Sequence, residues 1–242
     1  MSTEHTAAPA IADMSEQMQI RLEKRAKLIE SGREAYPVGL LDSEGNRVEP
    51  NHIEGLRAEY DPKLAAEELK AGDETDRVVH VGGRVVFVRN TGKLCFATLQ
   101  GGTEGKRIQA MLSLAEVGEE SLSEWKSLVD LGDHVFVTGR VIVSRRGELS
   151  IMVTDWKMAS KALRPMPVLH KDLNEETRVR QRYLDLMVRE EARELVKKRA
   201  LITRTVRRVL EDHGYIEVET PVLQLVHGGA TARPFRTHLN AF

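Results

Sequence analysis

Cysteine is almost absent from this sequence: Cys95 stands alone among 242 residues. A lone thiol forbids any internal disulfide and any zinc cage built on cysteine. The eight histidines form no pair at HxxxH or similar metal spacing. No apolar run approaches the roughly eighteen residues that a membrane-spanning helix needs. The N-terminus lacks the basic start and apolar core of a secretory signal, so the expected compartment is the reducing cytoplasm, without membrane contact. An excess of either charge is missing too. With 36 Lys and Arg against 37 Asp and Glu the net charge is −1, so a nucleic-acid site must come from local clustering of cations rather than a bulk basic field.

What is present is the composition of a soluble globular protein, 41% hydrophobic and 30% charged, at a length suited to one or two domains. Residues 1–13, rich in Ala, Ser and Thr without periodicity, are expected to be a mobile tail. A helix is expected from Met14, capped by Ser15 or Asp13, with Met18, Leu22, Arg25 and Ile29 along one face and Ser31-Gly32 as its stop. Arg21, Lys24, Arg25 and Lys27 make its other faces basic, either as a solvated surface or as a track for RNA phosphates. Residues 38–60 carry no functional signal. A small polar helix is expected over 61–71, entered through Asp61-Pro62.

Between 77 and 158 five strand-like runs appear with turn signals between them. Val78 to Val88 is rich in β-branched residues and interrupted by Gly82-Gly83, and Asn90-Thr91-Gly92 turns the chain into Leu94 to Gln100. Arg107 to Leu112 follows a Gly-rich turn. A helix-like segment at 121–129 precedes Val135 to Val143, and Arg145-Arg146-Gly147 is a tight hairpin into Leu149 to Met158. Three strands, a helix and two strands is the order of the five-stranded OB barrel, whose strand face binds oligonucleotides. Gly82-Gly83 and Gly139 fit the sharp corners of a small barrel. Such a face needs aromatic platforms with cations beside them. Phe87 and Phe96 are the aromatic candidates, and a core position is the alternative for either. Cys95 alternates to the opposite face from Phe96 and reads as a small buried hydrophobe.

Residues 160–176, with Pro165 and Pro167, look like an interdomain linker. Arg178 to Leu186 is dense in Arg, as in a helix with a solvated cationic face. From Ala192, Leu195, Val196, Ile202, Val206, Val209 and Leu210 recur at three- and four-residue spacing, the stripe of an amphipathic helix, and His213-Gly214 ends it. Ile216, Val218 and Thr220 then alternate with Tyr215, Glu217 and Glu219, predicting a half-buried strand closed by Pro221.

This helix, Gly, alternating strand and Pro, followed by HGGATARPF at 227–235, resemble motif 1 of the class II aminoacyl-tRNA synthetases, and most nearly the lysyl-tRNA synthetases. The resemblance runs nearly continuously from Arg21 to Phe242, through RLEKRAKLIESGREAYP, GRVVFVRNTGKLCFATLQ, KRIQ, RRGELSI, KALRP and the RxRYLDL run ending at Leu186. It implies that the N-terminal helix assists tRNA binding, and that Arg89, Phe96, Gln109 and Glu148 contact the central uridine of the lysine anticodon. Phe96 would stack, and the other three would hydrogen-bond an exposed Watson–Crick edge. It further implies that Pro221 lies at a homodimer interface and that Gly228, Gly229 and Ala230 belong to a lysine pocket. The loop QGGTEGKR is longer and richer in Gly than the family's usual turn, which leaves Gln100 unassigned.

On this resemblance the fold expected is a five-stranded OB barrel followed by the beginning of a class II antiparallel-sheet catalytic domain. The division expected is a tail and helical extension over 1–76, the anticodon-binding domain over 77–160, a linker over 161–186 and part of a catalytic domain over 187–242. The implied reaction is ATP-dependent charging of tRNA(Lys) with L-lysine, using Mg²⁺, by a homodimer. No Gly-x-Gly-x-x-Arg run and no Arg-Asn-Glu clamp of the kind that holds ATP occurs in these residues. The catalytic and metal residues are therefore expected beyond Phe242, and the 242 residues alone are expected to be inactive. The alternatives are a stand-alone RNA-binding OB protein without catalysis, which an authentic stop codon after residue 242 would favour, and an aspartyl- or asparaginyl-tRNA synthetase relative, which GGATARPF argues against.

Overall fold

A computed structural model describes residues 15–41, 45–169, 171–221, 235, 237 and 238. Its contacts divide the chain into two units, Met1–Glu194 and Leu195–Phe242.

In the first unit, period-two alternation builds five strands: β1 Glu74–Asn90, β2 Leu94–Gly101, β3 Lys106–Ser113, β4 His134–Val143 and β5 Leu149–Ser160. They close into a ring in the order β1-β2-β3-β5-β4. Only the β3–β5 ladder is parallel. The ring is the OB fold expected from the order of elements, and closure leaves no free sheet edge. Its inward residues include Val79, Val81 and Val85 from β1, Cys95, Ala97 and Leu99 from β2, Ile108, Ala110 and Leu112 from β3, and Val137, Ile151 and Val153 from β4 and β5. Helices α3 (Leu114–Val117) and α4 (Glu119–Leu128) connect β3 to β4, and α4 adds Leu122, Trp125 and Leu128 to the same core. Trp125 meets Trp156 edge-on at 5.1 Å, a geometry that aligns the positive ring edge with the negative ring face.

Irregular pairing shapes the ring at several points. At Gly139 a Cβ would lie 2.0 Å from the Met152 carbonyl oxygen, so only glycine permits the approach of β4 to β5 there. Gly82-Gly83, by contrast, does not interrupt β1, whose pairing with β4 continues through both glycines. The register of β1 shifts on either side of them, between Glu74 and Val78 against β4 and between Val85 and Phe87 against β2.

Helix α1, Glu16–Glu30, starts after Ser15, whose side chain makes no capping bond. The face it buries differs from the expected one: Arg21 and Leu28 are buried, while Ile29 is exposed. Two of the basic residues do internal work. Arg21 donates to the carbonyl oxygens of Ala162 and Leu131, and Lys24 pairs with Asp130 at 2.6 Å. Lys161, in the segment expected to be a plain linker, is buried and donates to Leu128 O, Asp130 and Asp133 at 2.6–2.7 Å. Asp133 also accepts from the backbone N–H groups of Asp130 and Ala162. Burial acts to raise the Asp130 carboxyl, but hydrogen bonds from Lys161 and Lys24 outweigh it and hold the group below its ordinary range. Nearby on β4, burial holds His134 down at about 4, and Arg84, its cross-strand partner, pushes the same way.

The helix expected over 61–71 is instead α2, Ile53–Ala65, which runs through Pro62. Its position follows from Ile53, Leu56 and Tyr60, which share one buried face at three- and four-residue spacing. Pro62 falls near the exposed C-terminal end, where its missing N–H removes a single helical hydrogen bond.

The Arg-dense run forms α5, Glu175–Arg180, and α6, Arg182–Val188. Its arginines are not simply a solvated face: Arg182 binds the fully buried Asp185 at 2.6 Å and Arg178 lies 3.6 Å from it, while Arg189, just beyond the run, joins them at 2.9 Å. Helix α7 spans Glu190–Asp212, and Gly214 at φ 82° ends it as expected. There the N–H of Tyr215 bonds back to Leu210 O and that of Gly214 to Glu211 O. The strand expected over 215–220 is not formed. A strand exists only through hydrogen bonds to a neighbour, and the described residues offer none beside this segment.

Candidate nucleic-acid interface

The outward faces of β1, β2 and β3, with the β4–β5 hairpin, enclose a groove of about 840 Å³. In β2 and β3, alternation turns Phe96, Thr98, Gln109 and Met111 outward because Cys95, Ala97, Ile108 and Ala110 face the core. In β1 the alternation alone points the wrong way. Val79, Val81, Gly83 and Val85 face inward, and unbroken parity would send residues 87 and 89 inward as well. The register shift between Val85 and Phe87 buries Val85 and Val86 in succession and flips everything after them. Phe87 is consequently 53% exposed, and Arg89 lies on the groove side.

Arg89 pairs directly with Phe96 across the β1–β2 ladder, its guanidinium 4.7 Å from the ring centroid. That distance is within cation–π range and leaves a flat cationic platform. Among the described residues Arg89 forms no ion pair. On β3, Gln109 Nε2 donates to Glu148 Oε2 at 3.4 Å, and Gln109 Oε1 lies 3.0 Å from the Ser150 hydroxyl. Glu148 sits on the β4–β5 hairpin, which is pinned by Ser144 N to Glu148 O at 2.8 Å and by Glu148 N to the Ser144 hydroxyl at 3.1 Å. Arg145 and Arg146, in the same hairpin, line the groove rim.

The four residues singled out from the sequence, Arg89, Phe96, Gln109 and Glu148, therefore line one groove. Together they offer a π face, a cation, an amide and a carboxylate, a set able to stack a base and hydrogen-bond its edge. Phe87 joins them. Ser150 was not singled out, since a serine within an apolar strand carries no signal of its own. In the sequence Arg145 and Arg146 read only as turn residues. Gln100 is placed elsewhere: buried, it donates to Gly105 O at 3.2 Å and so braces the β2–β3 loop. Cys95 is fully buried, and burial raises its thiol above the ordinary range, the opposite of an activated nucleophile. Pro221 is exposed and outside any regular element. Gly228, Gly229 and Ala230 lie outside the described residues. Among the described residues, no group of three or more His, Cys, Asp or Glu side chains could hold a metal ion, and no helix is long and apolar enough to cross a membrane.

Comparison with known proteins agrees with this architecture. Residues 79–159 match the OB-fold nucleic acid binding domain, and residues 174–242 match the class II tRNA synthetases of the D, K and N group. The chain is 55% identical over 95% of its length to a lysine–tRNA ligase of Kineococcus radiotolerans, covering 43% of that protein. It is 49% identical over 98% of its length to a lysine–tRNA ligase of Mycobacterium tuberculosis, covering 44% of it. It is also 39% identical over 98% of its length to the lysylphosphatidylglycerol biosynthesis bifunctional protein LysX of Mycobacterium avium, covering 18% of it. The chain thus spans under half the length of the ligases it matches.

Proposed function

We infer that this chain, a homologue of the lysine–tRNA ligases over 95% of its length, supplies the anticodon-recognising part of such an enzyme. The observation that carries the reading is the convergence of Arg89, Phe96, Gln109 and Glu148 on one groove of an OB-fold ring. Phe96, backed by the Arg89 guanidinium, stacks one anticodon base. Gln109 and Glu148 read its edge, while Arg145 and Arg146 on the rim meet phosphates.

The activity that goes with this role is ATP-dependent joining of L-lysine to tRNA(Lys) in the cytoplasm. Motif 1, with α7 and Pro221, would provide the homodimer contact, and Gly228, Gly229 and Ala230 one wall of the lysine pocket. ATP and Mg²⁺ are the implied cofactors. The described residues do not fit an Mg²⁺ site, since they contain no group of three or more His, Cys, Asp or Glu side chains that could hold a metal ion.

The test is titration of the chain with an RNA hairpin carrying a lysine anticodon, beside the same hairpin with its central base changed. The reading expects tighter binding of the lysine anticodon, with the preference lost in Gln109→Ala and Glu148→Ala. Equal affinity of the unmodified chain for both hairpins would overturn it.

A further inference from the structure

Ser150 is fully buried on β5, yet its hydroxyl reaches Gln109, which lines the groove. In the parallel β3–β5 ladder it stands opposite Gln109. Its Oγ lies 3.0 Å from Gln109 Oε1 and 2.9 Å from Glu148 O. A hydroxyl has one proton and can donate to only one of these oxygens at a time. The Glu148 side chain decides which. Its Oε2 accepts from Gln109 Nε2 at 3.4 Å, and turning the amide over would set one oxygen acceptor against another. The amide therefore keeps Nε2 toward Glu148 and Oε1 toward Ser150, and the Ser150 proton goes to Oε1.

We propose that Ser150 is a positioning residue, the second anchor of a Gln109 amide whose sense Glu148 sets, and that holding the amide at both ends sharpens the choice of pyrimidine in the groove. This rests on reading the groove as a base site. With the amide held, the groove presents an N–H donor beside a carboxylate acceptor. Uracil offers the complement, its O4 acceptor next to its N3–H donor. Cytosine offers the reverse order, and its N3 lone pair would face the Glu148 carboxylate. Without the Ser150 hydroxyl the amide is held only by its 3.4 Å contact with Glu148, so it turns more readily and Gln109 Oε1 can then accept from the cytosine amino group.

The experiment measures the 242-residue chain against two RNA hairpins that differ only in the central anticodon base, U or C. The quantity read is the ratio of their dissociation constants. Ser150→Ala is expected to shrink the preference for U by about 3- to 10-fold, the scale of one lost hydrogen bond, with the melting temperature nearly unchanged. Ser150→Cys fills the site with a weak donor and should recover part of the preference, which keeps the test open if alanine disturbs the strand. In a Gln109→Ala background, Ser150→Ala should change the ratio no further, because its effect passes through that amide. If Gln109→Ala abolishes the preference while Ser150→Ala keeps it, or weakens both RNAs equally, the positioning role is overturned and the groove reading stands. If Gln109→Ala leaves the ratio intact, both fall.

Discussion

Arg89 and Phe96 face each other across the β1–β2 ladder, the guanidinium 4.7 Å from the ring centroid, on the outer surface of the OB-fold ring. The pair is available to a ligand because Cys95 and Ala97, on either side of Phe96, take the core positions. Removing the ring therefore removes surface rather than core. Phe96→Ala is expected to leave the thermal melt nearly unchanged while weakening binding of the lysine-anticodon hairpin by about 1–3 kcal/mol. Loss of folding would instead make Phe96 a packing residue.

Backbone approach at Gly139 makes a sharper demand. A Cβ there meets the Met152 carbonyl oxygen at 2.0 Å, whereas at Gly82 the nearest atom is the Phe136 ring at 3.9 Å. Gly139→Ala is expected to cost about 3 kcal/mol or more in denaturant unfolding, and Gly82→Ala no more than about 1 kcal/mol. Similar losses at both positions would mean that glycine serves β1 and β4 in the same way.

The Lys161 ammonium is buried between Asp130 and Asp133, and Asp130 also holds Lys24 of α1. Lys161→Met would leave Asp133 fully buried without its cation, which typically costs about 3–5 kcal/mol. Because the same cluster anchors α1, amide exchange in Glu16–Glu30 should speed up along with the loss of stability. Unchanged exchange there would show that Arg21 and Leu28 hold the helix without the charge cluster.

His134 imposes a pH dependence on the ring. Its folded-state value of about 4 lies below the ordinary 6.5, chiefly through burial and secondarily through Arg84. Between these values the unfolded chain binds a proton that the folded chain does not, so stability falls as pH drops from about 6.5 to about 4. The loss is at most about 3 kcal/mol and smaller after solvent screening, since His134 is only partly buried. His134→Gln should flatten this part of the urea-midpoint profile. A profile of unchanged slope would assign the dependence to other groups.

On α7, Leu195, Val196, Ile202, Val206, Val209 and Leu210 are all exposed along one stripe. A surface of this kind tends to pair with a second copy. Sedimentation is expected to show concentration-dependent self-association, abolished by Ile202→Glu. A monomer at every concentration would indicate that this stripe does not drive pairing within these residues.

Much of the ring was determined by sequence alone, because strand alternation, turn residues and the helix stop at Gly214 depend on local rules. The β2 and β3 faces, and with them Phe96 and Gln109, follow from period two once Cys95 and Ile108 are placed inside. Tertiary structure alone decided the rest, and in each case the reason is a partner distant in sequence. The bulge that turns Phe87 and Arg89 outward arises from how β1 pairs with β2, which no count along β1 reveals. Arg21 and Lys24 read as a basic face until loop 130–133 supplies their acceptors. Arg178 and Arg182 read as solvated until Asp185 is buried beside them. Residues 215–220 alternate as a strand should, yet alternation fixes only which side chains share a face, and without a neighbouring strand to bond it the segment stays irregular.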